Sequence, residues 1–177
     1  MQATDAEVVA QIRAGNSSAY QQLVERHSRT VFRLAYRITG NEGDSEDVVQ
    51  ESFLRAYRSL DRFDERASFA TWLQRIAANC SLDIVRKRRR VVDVGGELPE
   101  MVDQGPKPDR ILENSRLRER LEQGMKTLTE QERGAFVLRH FEGQSIPEIS
   151  EALSIGESAA KHSVFRAVQK LRRYAFE

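Results

Sequence analysis

The sequence predicts an all-α protein, two helical domains joined by a flexible linker. Three observations carry that reading. Apolar residues recur at three- and four-residue steps through both halves of the chain. Capping residues of the Ser, Thr, Asp and Asn type precede these runs, and glycines follow them. Between Val91 and Pro108, VVDVGGELPEMVDQGPKP holds three of the ten glycines and three of the four prolines. That stretch has few apolar side chains to offset the entropy of ordering it, so residues 91–109 read as an irregular, mobile linker between domains at 1–90 and 110–177.

In the first domain, Thr4 or Asp5 can cap a short helix carrying Val8, Val9 and Ile12, which stops at Gly15. Asn16 or Ser17 then caps a long helix with Tyr20, Leu23, Val24, His27, Val31, Leu34, Ala35 and Ile38 on one face, ending at Gly40. Asp44 or Ser45 starts a third, whose inward stripe is Val49, Phe53, Ala56, Tyr57 and Leu60. Ser68 opens a fourth, with Trp72, Leu73, Ile76, Ala77, Leu82 and Val85 in the apolar pattern. RKRRR, residues 86–90, closes it, where bases complement the helix dipole.

In the second domain, a helix from about Arg110 to Lys126 lines up Leu117, Leu121 and Met125. Thr129 with Glu132 forms a capping box for a helix bearing Ala135, Phe136, Leu138 and Phe141, which ends at Gly143. Ser145 with Glu148 forms a second, with Pro147 in the first turn, where its missing N–H costs nothing. After a tight turn at Ser154, Ile155 and Gly156, a last helix runs from about Glu157 to Tyr174, with Ala160, Val164, Ala167, Val168 and Leu171 inward.

Composition narrows the function classes. The balance of 40% hydrophobic and 31% charged residues is that of a soluble protein, and no apolar run is long enough for a membrane span. The N-terminus lacks the long apolar stretch of a signal peptide, so a cytoplasmic location is expected. Cys80 is the one cysteine, which excludes an internal disulfide and a multi-cysteine zinc site. No phosphate-binding glycine loop, metal-ligand cluster or nucleophile beside a base is evident, so neither catalysis nor a cofactor or metal is expected. Net charge is only +1, but its distribution is uneven. Residues 1–90 hold 15 Lys/Arg against 12 Asp/Glu, residues 91–112 hold 2 against 5, and Ser158 to Phe176 holds five bases and no acid.

Three constellations are candidate binding surfaces. Two helices joined by a short Gly-containing turn, the second with an outward basic face, match a helix-turn-helix. On that face Ser158, Ala159, Lys161, His162, Phe165 and Arg166 stand where a major-groove helix meets base edges and phosphates. Asp47, Gln50, Glu51 and Leu54 share one side of the third helix, suited to docking a basic helical partner; acids in early turns also simply suit the helix dipole. Arg62, Phe63, Arg66, Phe69, Trp72 and Arg75 interleave aromatics with bases, and Arg86 and Arg88 follow in the terminal run. This combination can hold single-stranded DNA, although residues like Phe69 and Trp72 more often belong to a core than to a stacking platform. The Asn79 amide suits a base edge. His27 and His140 sit in apolar patterns and are expected to have no chemical role.

DVVQESFLRAYRSLDRF followed by SFATWLQRIAANCSLDIVRKRRR resembles region 2 of the extracytoplasmic-function sigma factors of bacterial RNA polymerase. LTEQERGAFVLRHFEGQSIPEISEALSIGESAAKHSVFRAVQKLRR resembles their region 4. The resemblance implies that Asp47, Gln50, Glu51 and Leu54 dock on the β′ coiled coil of core RNA polymerase. It implies that the Asp64 to Phe69 loop, Trp72 and Asn79 recognise and open the minus-ten element, holding a non-template base turned out of the duplex. The last helix would read the minus-thirty-five element, and its domain would touch the β flap. The implied partners are core polymerase, promoter DNA and an anti-sigma factor. The chain departs from the family pattern at Ser158-Ala159-Ala160, where many members have Gly-Thr-Val, and at Ser163, where a basic residue is common. Its end at Glu177 leads us to expect no appended regulatory domain. A free-standing helix-turn-helix regulator would need neither the acidic stripe nor the aromatic-basic segment, and a helical adaptor would be indifferent to Lys161 and Arg166.

Overall fold

The computed structural model describes residues 3–93 and 112–176; residues 94–111, which include most of the expected linker, lie outside them. Among the described residues every regular element is helical. The chain divides into two units, Met1–Ile84 and Val85–Glu177, with the division falling inside one long helix.

The first helix, α1 (Asp5–Arg13), is opened by Thr4 rather than Asp5. The Thr4 hydroxyl accepts the Glu7 N–H at 3.3 Å and the Glu7 carboxylate accepts the Thr4 N–H at 2.6 Å. This reciprocal box satisfies two end donors that the helix itself cannot. The second helix, α2, spans Tyr20–Thr39, one turn later than expected, because Ser17–Ala19 forms a 3-10 turn that seats Ala19 in the core. It ends on Gly40 at φ +66°, the left-handed conformation glycine adopts without a Cβ clash.

Helix α3 (Glu42–Arg58) begins earlier than expected. The Asn41 side chain accepts the Asp44 N–H at 2.8 Å, so Asn41 is the cap in place of Asp44 or Ser45. Its inward stripe is also rotated: Ser45, Val48, Ser52, Phe53 and Ala56 are buried, while Val49 is half-buried and Tyr57 is 43% exposed. Two serines, Ser45 and Ser52, are fully buried on this stripe, Ser45 against Thr39 of α2. The Ser45 hydroxyl donates to the Asn41 carbonyl at 2.5 Å and lies 3.1 Å from the Thr39 hydroxyl, so the buried serine is satisfied. Helix α4 (Phe69–Asp93) continues three residues past Arg90 and buries Phe69, Leu73, Ala77, Cys80 and Leu82. Burial pushes the Cys80 thiol up from its usual pKa, in keeping with an inert core residue.

In the second unit, α5 (Leu112–Lys126) does not turn Leu117 and Leu121 inward; they are 44% and 37% exposed. Its approach to the last helix is made at Gly124, where a Cβ would stand 2.9 Å from Leu171 Cδ2. Helix α6 (Glu130–His140) carries the expected box between Thr129 and Glu132 and buries Ala135, Val137 and Leu138. Phe141, expected within a helix running to Gly143, is instead the C-cap and is 51% exposed. Helix α7 (Ile146–Leu153) carries the second box, between Ser145 and Glu148, with Pro147 in its first turn. The last helix, α8 (Glu157–Phe176), turns Ala160, Ser163, Ala167 and Leu171 inward; Val164 and Val168 are half-buried.

Candidate nucleic-acid interface

Three surfaces hold the residues singled out from the sequence. On α3, steps of three, one and three residues put Asp47, Gln50, Glu51 and Leu54 on one stripe. Asp47 and Gln50 are exposed and Leu54 is 43% exposed, while the opposite side of the helix is buried against α2. The Glu51 carboxylate accepts from Arg55 Nε at 2.5 Å. An exposed i,i+4 pair of this kind contributes only about 0.5 kcal/mol, so an incoming cation can displace Arg55 cheaply.

The second surface is the loop between α3 and α4 with the helix face that follows it. Trp72, Arg75 and Asn79 recur at steps of three and four residues and so share one face of α4. Trp72, Arg75, Asn79 and Arg88 are half-buried, and Arg62, Arg66 and Arg86 are exposed. The Asn79 side-chain amide donates to the Arg75 carbonyl at 3.1 Å, which fixes its orientation on that face. Phe69 differs from a stacking platform. It is 3% exposed, its ring centroid 5.9 Å from that of Phe63, 5.8 Å from that of Trp72 and 5.5 Å from that of His27. The ring therefore packs beneath the loop, and only Trp72 keeps an accessible edge.

The loop itself is held by a residue that no local sequence pattern singles out. Arg13, in the last turn of α1, donates to the Leu60 carbonyl at 3.1 Å and to the Phe63 carbonyl, and its Nη1 lies 2.9 Å from the Glu65 carboxylate. These acceptors lie 47 to 52 residues away along the chain. Glu65 adopts φ +62°, a conformation that costs a residue with a side chain about 1–2 kcal/mol. Downstream, Asp64 Oδ1 accepts the Arg66 N–H at 3.2 Å and Ser68 Oγ accepts the Thr71 N–H at 3.1 Å, so the loop passes directly into α4. His27, expected to have no chemical role, is half-buried and bonds Asp5 at 2.7 Å, and Arg26 meets the same carboxylate at 3.0 Å, joining α2 to α1.

The third surface is the start of α8. Ser158, Lys161, His162, Phe165 and Arg166 are exposed, Phe165 by 61%, and Ala159 is half-buried. Ser163 does not belong to that face. It is 6% exposed, accepts from Gln131 Nε2 at 2.9 Å and donates to the Ala159 carbonyl at 2.8 Å, so it anchors α8 on α6. The turn before α8 reverses at Ser154, with φ +54°, and is closed by the Ile155 N–H on the Ser150 carbonyl at 3.0 Å and by the Ser150 hydroxyl on the Ile155 carbonyl at 2.6 Å. Among the described residues, no group of three or more His, Cys, Asp or Glu side chains could hold a metal, and no helix is long and apolar enough to cross a membrane.

Residues 23–91 match the family described as Sigma-70 region 2, and residues 118–171 match Sigma-70, region 4. The chain is similar to the ECF RNA polymerase sigma factor SigE of Mycolicibacterium smegmatis, with 37% identity over 88% of this chain and 61% of that protein. It is 34% identical to the ECF RNA polymerase sigma-E factor of Salmonella typhimurium, covering 94% of this chain and 91% of the other. Among solved structures, CnrH in complex with the cytosolic domain of CnrY is similar at TM-score 0.65 and 29% identity, over 94% of this chain and 93% of that one.

Proposed function

We propose, from the premise that the chain belongs to the ECF sigma factors of RNA polymerase, that it docks on core polymerase and directs initiation at a specific set of promoters. The observation that carries this reading is that one helical unit holds two different surfaces. The Asp47, Gln50 and Leu54 stripe of α3 offers an acidic and apolar strip to a basic helical partner, the β′ coiled coil. The loop ahead of α4, with Trp72, Arg75 and Asn79 beyond it, combines cations for the phosphate backbone with an aromatic edge and an amide for an unpaired minus-ten base. Arg62, Arg66, Arg86 and Arg88 add sequence-independent attraction to the opened strand.

The second unit supplies the duplex contact. Ser158, Ala159 and His162 stand at the start of α8, where a major-groove helix meets base edges, while Lys161 and Arg166 neutralise phosphates and Phe165 offers apolar surface to a thymine methyl. Residues 1–90 would thus serve polymerase docking and minus-ten opening, and residues 110–177 the minus-thirty-five element and the β flap, with 91–109 as the tether. The chain works in the cytoplasm as an initiation factor and performs no bond chemistry itself. Likeness to CnrH, solved with a bound protein partner, supports control by an anti-sigma factor that covers one of these surfaces.

The test is reconstitution. Core polymerase plus the purified chain should initiate at promoters mapped by sequencing transcripts after overexpression, and a pull-down should recover polymerase. Failure of both defeats the proposal.

A further inference from the structure

We propose that Arg13 is a positioning residue for strand capture, a clamp through which α1 sets the shape of the loop that meets the opened minus-ten strand. This rests on the proposed role of that loop in holding an unpaired base. Arg13 lies ahead of the residues that match the region 2 family, and nothing in that match assigns it a part.

The geometry is that of a fork closed on both ends of one short segment. One guanidinium nitrogen of Arg13 donates to the carbonyls of Leu60 and Phe63, and the other reaches the Glu65 carboxylate at 2.9 Å. A planar guanidinium can satisfy three acceptors from one rigid head, whereas an ammonium cannot match that spread. The Phe63 carbonyl is fixed by this contact, and the Phe63 ring packs against both Phe69 and Trp72, at 5.1 Å from the latter. Glu65 holds a left-handed backbone, and its carboxylate is the group that Arg13 grips. The contacts therefore bear on the loop from both sides: its backbone through two carbonyls, its turn through Glu65, and the Trp72 edge through Phe63. A segment over-determined in this way is pre-shaped for a ligand, which lowers the ordering cost at the moment a base is captured.

The clamp predicts a split between two steps. Arg13 lies outside the α3 docking stripe, so its loss should leave polymerase affinity alone and slow opening. Trp72 is the single tryptophan of the chain, so its fluorescence reports on the loop without any DNA. In full-length Arg13→Ala, Trp72 emission should shift to the red and become more open to acrylamide quenching. With core polymerase on a mapped duplex promoter, open-complex formation followed by permanganate reactivity of unpaired thymines should fall about tenfold, as loss of hydrogen bonds from a charged donor implies, with polymerase affinity within about twofold. Arg13→Lys should recover part of the opening, and Glu65→Gln, which keeps an acceptor oxygen but removes the charge, should show an intermediate loss even if the alanine variant folds poorly.

Unchanged Trp72 emission with opening equal to the unaltered chain would overturn the clamp. So would a fall in polymerase binding parallel to the fall in opening, which would mark a general loss of structure. If the unaltered chain itself neither binds polymerase nor opens any promoter, the sigma-factor reading fails and the clamp falls with it; normal opening by both proteins defeats the clamp alone.

Discussion

Lys170 places its ammonium 2.7 Å from the Glu132 carboxylate, and that same carboxylate accepts the Thr129 N–H at 3.0 Å. One buried acid thus closes the capping box of α6 and ties α8 to it. Glu132 has a side chain only 7% exposed, while that of Lys170 is 38% exposed, so Lys170→Ala leaves a nearly buried anion with one partner fewer. After discounting for the exposed end of the pair, the expected cost is about 1–2 kcal/mol in denaturant unfolding of the full chain. Glu132→Gln keeps a capping-box side chain and removes the need for the cation, so Lys170→Ala should be close to neutral in that background. Equal losses from Lys170→Ala in both backgrounds would show that the two residues are not coupled.

Protonation should loosen the same junction. Burial opposes the charged form of Glu132, but the hydrogen bonds from Lys170 and Thr129 outweigh it and hold the carboxyl below its usual value of 4.5. With the folded value below the unfolded one, the stabilisation is complete above the unfolded value and is lost as pH falls through the folded one. The acid limb of thermal stability, followed by circular dichroism below about pH 4.5, should be shallower in Glu132→Gln than in the unaltered chain. Parallel acid limbs would count against this assignment.

Much of this architecture was legible in the sequence, because helix signals are local. Both capping boxes of the second unit, the stop at Gly40 and the outward face at the start of α8 follow from residues within one or two turns of each other. What could not be read depends on partners distant in the chain. The rotation of α3, with Val48 inward in place of Val49, comes from serines that only become core when another helix lies on them. Leu117 and Leu121 look inward by period, yet α5 approaches α8 at Gly124, a residue with no hydrophobic signal at all. Arg13 reads locally as a base suited to a helix end, and its acceptors across the chain give it a different part.

Phe69 and Trp72 should separate when truncated, although the sequence makes them look equivalent. Phe69→Ala opens a cavity among Phe63, Trp72 and His27, and about 3 kcal/mol of stability should go with it. Polymerase binding and promoter opening would then decline together. Trp72→Ala removes a half-buried ring, so the smaller stability loss should accompany a larger and selective defect in opening. A Phe69→Ala protein of unaltered stability would show that the ring is not the core residue its burial indicates.

Ser163 and Lys161 offer a similar contrast in the second unit. Ser163→Ala removes the acceptor for Gln131 and should cost about 1 kcal/mol of stability, with the salt dependence of duplex binding unchanged. Lys161→Ala, or Arg166→Ala, should leave stability alone and lower the slope of log affinity against log salt by about 0.9 for each phosphate no longer neutralised. A changed slope in Ser163→Ala would place that residue on the DNA after all.

Glu65→Gly tests whether the strained turn is kept for binding or for stability. Glycine relieves the positive φ, a gain of about 1 kcal/mol, but adds backbone freedom to the unfolded chain and forfeits the Arg13 ion pair. That pair is half-exposed, with side chains 31% and 53% accessible, so its own contribution to stability is small. The terms nearly cancel, and the unfolding midpoint should stay close to that of the unaltered chain. Opening should nevertheless slow, because a glycine at 65 lets the loop visit conformations that Arg13 no longer excludes. A stable protein with slower opening would mean that Glu65 tolerates its backbone strain to keep the loop in register with the Trp72 face. A Glu65→Gly chain that opens promoters at the normal rate would mean that the left-handed turn alone, whatever its side chain, is sufficient.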